Sequence, residues 1–300
     1  MTGQAAAVER LDVAFPSGDA SCSAWLHRPV GDRLAPVVVL GHGLGATREM
    51  RLDAYARRFA AHGLAALAFT YRHFGDSEGT PRQLLSVARQ LEDWESAIAH
   101  VRTRKDVDGR RVAIWGSSFG GGHAITIAAR HPELAAAVAQ CPFTDGLASA
   151  RALGLATSVK AIPLLLRDTL AAIAGRPPVT IPVAAPPGDV ALMNAPDAAS
   201  GYHALIPDGL PFRNEVAARI IPSLSAYRPG RAAKDVRIPI LFCVSDTDTV
   251  APPGPTLRYA RTAPHGDVRR YDAGHFAFYV GETFEQIVAD QVEFLTSRLL

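Results

Sequence analysis

Residues Arg111–Gly122, RRVAIWGSSFGG, constrain the architecture of this chain more than any other stretch. A short apolar, β-prone run, Val112–Trp115, leads into Gly116-Ser117-Ser118-Phe119-Gly120, and Ala124–Arg130 continue as a helix. Strand, tight turn, helix, with G-x-S-x-G at the turn, is the nucleophile-elbow pattern. Such a turn brings strand and helix so close that only small residues fit at 116 and 120, and it holds Ser118 at the apex in a strained backbone conformation. The helix start also aims free N–H groups at any negative charge that develops there.

The rest of the chain repeats the strand–helix rhythm. Val8–Phe15 and Ala24–Arg28 read as a hairpin around Pro16-Ser17-Gly18-Asp19. Ala35–Leu40 and Ala65–Thr70 are continuous apolar runs of the buried parallel kind. Arg48–His62 and Leu84–Arg104 have helical apolar spacing, the first closed by Gly63. Ala135–Cys141, Ile238–Val244 and Val268–Tyr271 supply further strands, and Gly281–Leu300 a final helix. This alternation predicts an α/β fold: a mostly parallel, doubly wound, eight-stranded sheet flanked by helices.

Residues 146–234 break the rhythm. Leu147–Gly175 is rich in Ala and Leu and reads as helix, and Arg176–Pro211 holds eight of the 22 prolines. Continuous regular structure is therefore not expected there. Phe212–Tyr227 reads as helical again. The segment is expected to be a cap inserted after the sixth strand, leaving a core domain of residues 1–145 and 235–300. Apolar residues such as Val183, Leu192, Met193 and Leu205 argue against a disordered linker.

Bulk properties exclude several classes. The 300 residues, 48% of them apolar, suffice for one large core. The formal charge of +2, without blocks of one sign, points to no nucleic acid and no anionic surface. Three cysteines, without C-x-x-C spacing, read as buried reduced thiols of a cytoplasmic protein. No signal peptide is visible, and Ala161–Gly175 is too short and too interrupted for a membrane span. No metal or other cofactor is expected, since H-E-x-x-H, Walker and Cys/His metal spacings are missing from the sequence. Gly41-His42-Gly43-Leu44-Gly45-Ala46 does match G-x-G-x-x-A after a strand. The next strand ends Phe69-Thr70-Tyr71-Arg72, however, without the acid a dinucleotide ribose requires.

A serine hydroxyl needs a base to become nucleophilic. His275 follows the last strand, behind Gly274, and is the candidate. An imidazole in that role needs an acid to fix its tautomer. Asp246 and Asp248 both follow Ile238–Val244, and Asp248 is preferred because it sits at the loop tip, with Asp246 shaping the turn. The order Ser118, Asp248, His275 is the α/β-hydrolase order. Backbone N–H groups of Phe119 and Leu44 are the expected oxyanion donors, and His42 is expected to hold its loop rather than act as a base. His42, Gly43, Asp76, Ser118 and Phe143 all follow strands and are expected to share one rim. Phe74, Phe143, Tyr202 and Phe276 are candidate substrate-pocket residues.

From about residues 8–145 and 235–300, these features resemble the α/β-hydrolase superfamily. That resemblance implies a Ser118–Asp248–His275 triad with an oxyanion hole at Leu44 and Phe119. The loop Tyr71-Arg72-His73-Phe74-Gly75-Asp76-Ser77-Glu78-Gly79 is similar to that of X-Pro dipeptidyl-peptidase S15-like and dienelactone-hydrolase-like members. With Pro81-Arg82-Gln83 and Gly274-His275-Phe276…Tyr279 it also resembles the fungal polyketide transferase branch, whose members move acyl groups. The oxyanion loop departs from the H-G-G-G form at Leu44. The expectation is a serine hydrolase acting on a small-molecule carboxylic ester or thioester through an acyl-enzyme. Acyl transfer to an alcohol or amine, amide or peptide cleavage, and a non-catalytic binding member of the fold are the alternatives. The oligomeric state, a homodimer included, is left open.

Overall fold

Alternating and continuous apolar runs fold differently, and the sheet records the difference. The computed structural model describes residues 7–300; the expectation of no signal peptide rests partly on residues 1–6, outside the described residues. β1 (Val8–Ser17) and β2 (Ala20–Pro29) form an antiparallel hairpin turning at Gly18-Asp19, with β1 only partly covered. β3 (Pro36–Gly41), α1 (Leu52–Ala61), β4 (Ala65–Phe69), α2 (Val87–Thr103), β5 (Asp108–Ser117), α3 (Phe119–Arg130) and β6 (Ala136–Gln140) then alternate. Every residue of β3, β4 and β6 is buried, as two covered faces require.

α1 starts four residues later than its periodicity suggests. Arg51 takes a left-handed conformation (φ 74°) just before it, and the buried Arg48 guanidinium is drawn to Asp76 and Thr70 instead. α2 starts at Val87 because the Ser86 side chain accepts from the Arg89 N–H and caps it.

Between β6 and the next main-sheet strand come α4 (Gly146–Leu153), α5 (Leu155–Ile173), β7 (Thr180–Pro182), α6 (Ala198–His203), β8 (Glu215–Ala217) and α7 (Ile221–Ala226). The single helix read over Leu147–Gly175 is in fact two, bent by 113°. Gly154, at φ 88°, makes the break by adopting a conformation other residues resist. Phe212–Tyr227 is only partly helical: Glu215–Ala217 pairs antiparallel with Thr180–Pro182 in a separate two-stranded sheet. Beside them Ala184 and Met193 form an isolated parallel bridge, with the Met193 N–H donating to the Val183 carbonyl.

β9 (Ile240–Ser245), α8 (Pro253–Ala260), β10 (Gly266–Tyr271) and α9 (Gly281–Leu299) complete the chain. The main sheet has the order β1-β2-β4-β3-β5-β6-β9-β10, parallel from β4 to β10. β5 lies near its middle, so the turn that carries Ser118 leaves from the sheet's centre. The carboxyl ends of β3, β6, β9 and β10 lie on the same rim, where ligands of such sheets bind. No single helix among the described residues is long and apolar enough to cross a membrane.

Candidate active site

The elbow is as tight as its glycines allow. A Cβ at Gly116 would lie 2.0 Å from the Gly120 carbonyl oxygen, and one at Gly120 would lie 2.5 Å from the carbonyl oxygens of Gly41 and His42. No side chain fits at either position. Ser118 caps α3 with φ 55° and ψ −117°, a backbone state that non-glycine residues adopt only when their surroundings enforce it. The enforcement is visible: its N–H donates to Gln140 across to β6, and its C=O accepts from Phe143 and Gly122.

Two loops bring the partners. His275 Nε2 lies 3.1 Å from Ser118 Oγ, and His275 Nδ1 lies 2.7 Å from Asp248 Oδ2. The other oxygen of Asp248 accepts the N–H groups of Val250 (2.8 Å) and Ala251 (2.6 Å), so the carboxylate cannot rotate freely. Asp246 takes a different part: its carboxylate accepts from exposed Arg270, and its N–H bonds to Tyr271, on the far side of the turn. His275 is buried, which by itself favours the neutral imidazole. The charge and hydrogen bond of Asp248 outweigh that and raise the His275 pKa well above 6.5.

A buried polar chain clamps the histidine turn to the elbow strand. Ser117 Oγ, one residue before Ser118, is 2.5 Å from the hydroxyl of Tyr279, four residues after His275. Gln140 Nε2 donates to Ser117 Oγ, Gln291 Nε2 to Gln140 Oε1, and Trp115 Nε1 to Gln291 Oε1. β5, β6, α9 and the His275 turn thus share one directly bonded network. Sequence reasoning missed this network, because nothing in the pattern distinguishes Ser117, Gln140 or Gln291 from ordinary polar residues.

The loop after β3 closes against the nucleophile. A Cβ at Gly43 would meet Ser118 Cβ at 3.2 Å and Oγ at 3.6 Å. The N–H groups of Leu44 and Phe119 have no backbone acceptor among the described residues. The Leu44 carbonyl, by contrast, is held by the Tyr202 hydroxyl at 2.9 Å. His42 is fully buried and braces its own loop: Nδ1 sits 3.0 Å from the Gly43 carbonyl, and Nε2 accepts from the Tyr71 N–H. Burial depresses its pKa to about 4, so it stays neutral.

Ser118 opens onto two cavities. The larger, about 130 Å³, is mostly apolar, walled by Leu44, Phe119, Phe143, Met193, Leu224 and Val250. The smaller, about 30 Å³, lies between Ser118, His275, Phe276 and Tyr202. Phe143, Phe276 and Tyr202 therefore sit where a ligand would be. Phe74 does not: it lines a separate depression with Thr47 and Arg82. Asp76 also stays away from Ser118, because Arg48 holds both its oxygens at 2.6 Å. Both follow β4, which is parallel to β3 and β5, so Asp76 is on the same carboxyl edge as Ser118, but beyond β3 the two residues line a different depression. Among the described residues, no group of three or more His, Cys, Asp or Glu side chains could hold a metal ion.

Comparison with known proteins gives the family and the fold. A quorum-quenching protein, AidA, of Acinetobacter baumannii is 52% identical over 95% of this chain and 94% of its own. A polyketide transferase of Stachybotrys chlorohalonatus is 26% identical over 98% of this chain and 99% of its own. A thiohydrolase of Aspergillus aculeatus is 25% identical over 90% and 88%. The fold matches the solved structure of DcsB in complex with its substrate analogue, with a TM-score of 0.84 at 24% identity over 97% of this chain and all of that one. The serine aminopeptidase S33 profile covers residues 32–276. The chain therefore belongs to that family of α/β-hydrolases, and it is an enzyme of the hydrolase type.

Proposed function

We propose that Ser118, His275 and Asp248 form a catalytic triad that cleaves carboxylic esters or thioesters of small molecules through an acyl-enzyme. The observation that carries this is the chain of contacts from Asp248 through both nitrogens of His275 to Ser118 Oγ. Ser118 Oγ attacks the carbonyl carbon while its proton passes to His275 Nε2. The oxyanion forms beside the N–H groups of Leu44 and Phe119, which have no other backbone acceptor among the described residues and serve as the oxyanion hole. The carbon–oxygen or carbon–sulfur bond breaks, and His275 returns the proton to the departing alcohol or thiol. Water then repeats the cycle in the opposite direction, freeing the acid.

Residues 146–234 act as the cap, supplying Met193 and Leu224 to the larger cavity. Its apolar walls suit the acyl part of the substrate, with Phe143 beside it and Phe276 and Tyr202 beside the smaller space. Acyl transfer in place of hydrolysis is favoured by one observation, the full-length relation to a polyketide transferase. The buried free thiols Cys22, Cys141 and Cys243 support a cytoplasmic setting.

A fluorophosphonate probe should label the wild type and leave Ser118→Ala unlabelled. Folded wild type that resists the probe would remove the reading. A panel of esters and thioesters of graded acyl length, including signalling molecules of the class the Acinetobacter relative quenches, then identifies the substrate. Adding an alcohol or amine and measuring product partition separates transfer from hydrolysis.

A further inference from the structure

α5 is built inside out. The side chains it buries are Thr157, Ala161 and Asp168, two of them polar. Leu164 and Leu165 are half-buried on the inner side, but six other large aliphatics, Leu155, Val159, Ile162, Leu166, Leu170 and Ile173, recur every three or four residues on the opposite face and stand between 46% and 81% exposed. They are six of the ten strongly exposed large hydrophobics among the described residues. A water-soluble surface helix places such a stripe against the core. Here the core side is held by polar bonds: Asp168 is fully buried and accepts the Arg219 guanidinium and the N–H groups of Val179 and Arg219.

The charges around the stripe have one sign. Lys160 and Arg167 flank it on α5, Arg151 is exposed on α4, and Arg176 is exposed just beyond the end of α5. None of the four has a carboxylate within ion-pair distance among the described residues. α4 and α5 together carry one acidic residue, and it is the buried Asp168. A second copy of the chain meets this face badly. Packed antiparallel, stripe on stripe, the Lys160 and Arg167 flank of one copy meets the same flank of the other, charge against like charge; packed parallel, it meets an uncharged flank, with no acidic side chain to pair with it. An apolar stripe with a cationic flank is instead complementary to anionic lipid headgroups over acyl chains.

We propose that the outer face of α5 docks on the surface of an anionic phospholipid bilayer, lying in the interface rather than crossing it. The same helix turns Ser158 and Ala161 toward the larger cavity, so docking sets the bilayer directly outside that cavity's wall. The balanced charge of the whole chain conceals this face, because acidic residues elsewhere cancel it.

Flotation of the full chain with vesicles tests the proposal. The protein should float with phosphatidylcholine–phosphatidylglycerol vesicles at least tenfold better than with phosphatidylcholine alone, and added salt should weaken it. Leu166→Ser/Leu170→Ser and, separately, Lys160→Glu/Arg167→Glu should each reduce binding by roughly tenfold or more. All four residues are exposed, so unchanged circular dichroism and melting confirm that the variants fold. No flotation with either vesicle, or variants that bind like wild type, would overturn it. So would a wild-type dimer in sedimentation that Leu166→Ser/Leu170→Ser dissolves, which would give the face to a second copy.

Discussion

Replacing Asp248 by Asn is the most informative single change, because its consequence follows from bonds already formed. Asp248 Oδ1 accepts two backbone N–H groups, from Val250 and Ala251. Only an oxygen can occupy that place. The side-chain amide that replaces the carboxylate is therefore forced to point its NH₂ at His275 Nδ1, where the wild type presents a carboxylate oxygen at 2.7 Å. Facing a donor, Nδ1 must become the acceptor, and the ring proton moves to Nε2. That nitrogen lies 3.1 Å from Ser118 Oγ and can no longer take its proton. A triad locked in the wrong tautomer loses on the order of 10⁴ in turnover, or about 5.4 kcal/mol of transition-state stabilisation.

The pH profile should shift as well. In the wild type, kcat/KM should rise with a midpoint above 6.5, since Asp248 raises the His275 pKa against the opposing effect of burial. In Asp248→Asn the carboxylate's upward pull is lost while burial still opposes the charged ring, so the midpoint should fall relative to the wild type. Initial rates on an activated ester from pH 5 to 9 measure both effects. Asp246→Asn is the control and should cost no more than about twofold, because Asp246 pairs with an exposed arginine. Equal losses in the two variants, or a loss below tenfold in Asp248→Asn, would refute the reasoning.

Gly43→Ala should lower kcat/KM by roughly 10–10² with little change in melting temperature, because the new methyl lands 3.2 Å from Ser118 Cβ; steady-state kinetics and a thermal melt check this. Arg219→Ala should destabilise the fold by about 3 kcal/mol in urea titration, since it strips a buried carboxylate, Asp168, of its counter-charge. Acid should also destabilise the protein well above the carboxylate range. Burial depresses His27 and His42 to about 4 and His123 to about 3, so the unfolded chain takes up protons near pH 6.5 that the native state refuses. Stability should fall between pH 6.5 and 4 by up to about 1.4 kcal/mol per pH unit for each histidine. His275, whose folded pKa is raised, loses its contribution only as pH rises and does not offset this. A urea midpoint equal at pH 7 and pH 5 would contradict the account.

Some of this protein was legible in its residue order, because the information was local. A run such as Pro36–Gly41 has no polar side chain to present, so it must lie in a doubly covered strand. Gly116 and Gly120 announce a contact that admits no Cβ, and that contact forms. The positions of Ser118, Asp248 and His275 just after strands were enough to bring them together, since parallel strands deliver their carboxyl ends to one side. The choice between Asp246 and Asp248 could be argued from sequence, but it was the turn at Val250 and Ala251 that aimed one carboxylate inward while Arg270 drew the other outward.

What only the tertiary structure decided depends on partners distant in the chain. Phe74 reads as readily as Phe143 for a pocket residue, yet β4 and β6 leave β5 on opposite sides, and only Phe143 reaches the cavity. Ser117, Gln140 and Gln291 look like ordinary polar residues until β5, β6, α9 and the His275 turn converge and their hydrogen bonds, with that of Tyr279, close. The periodicity of α5 says that it has an apolar face. Which way that face turns was set by Asp168 and Arg219, 51 positions apart, whose buried pairing pulls the polar side of the helix inward.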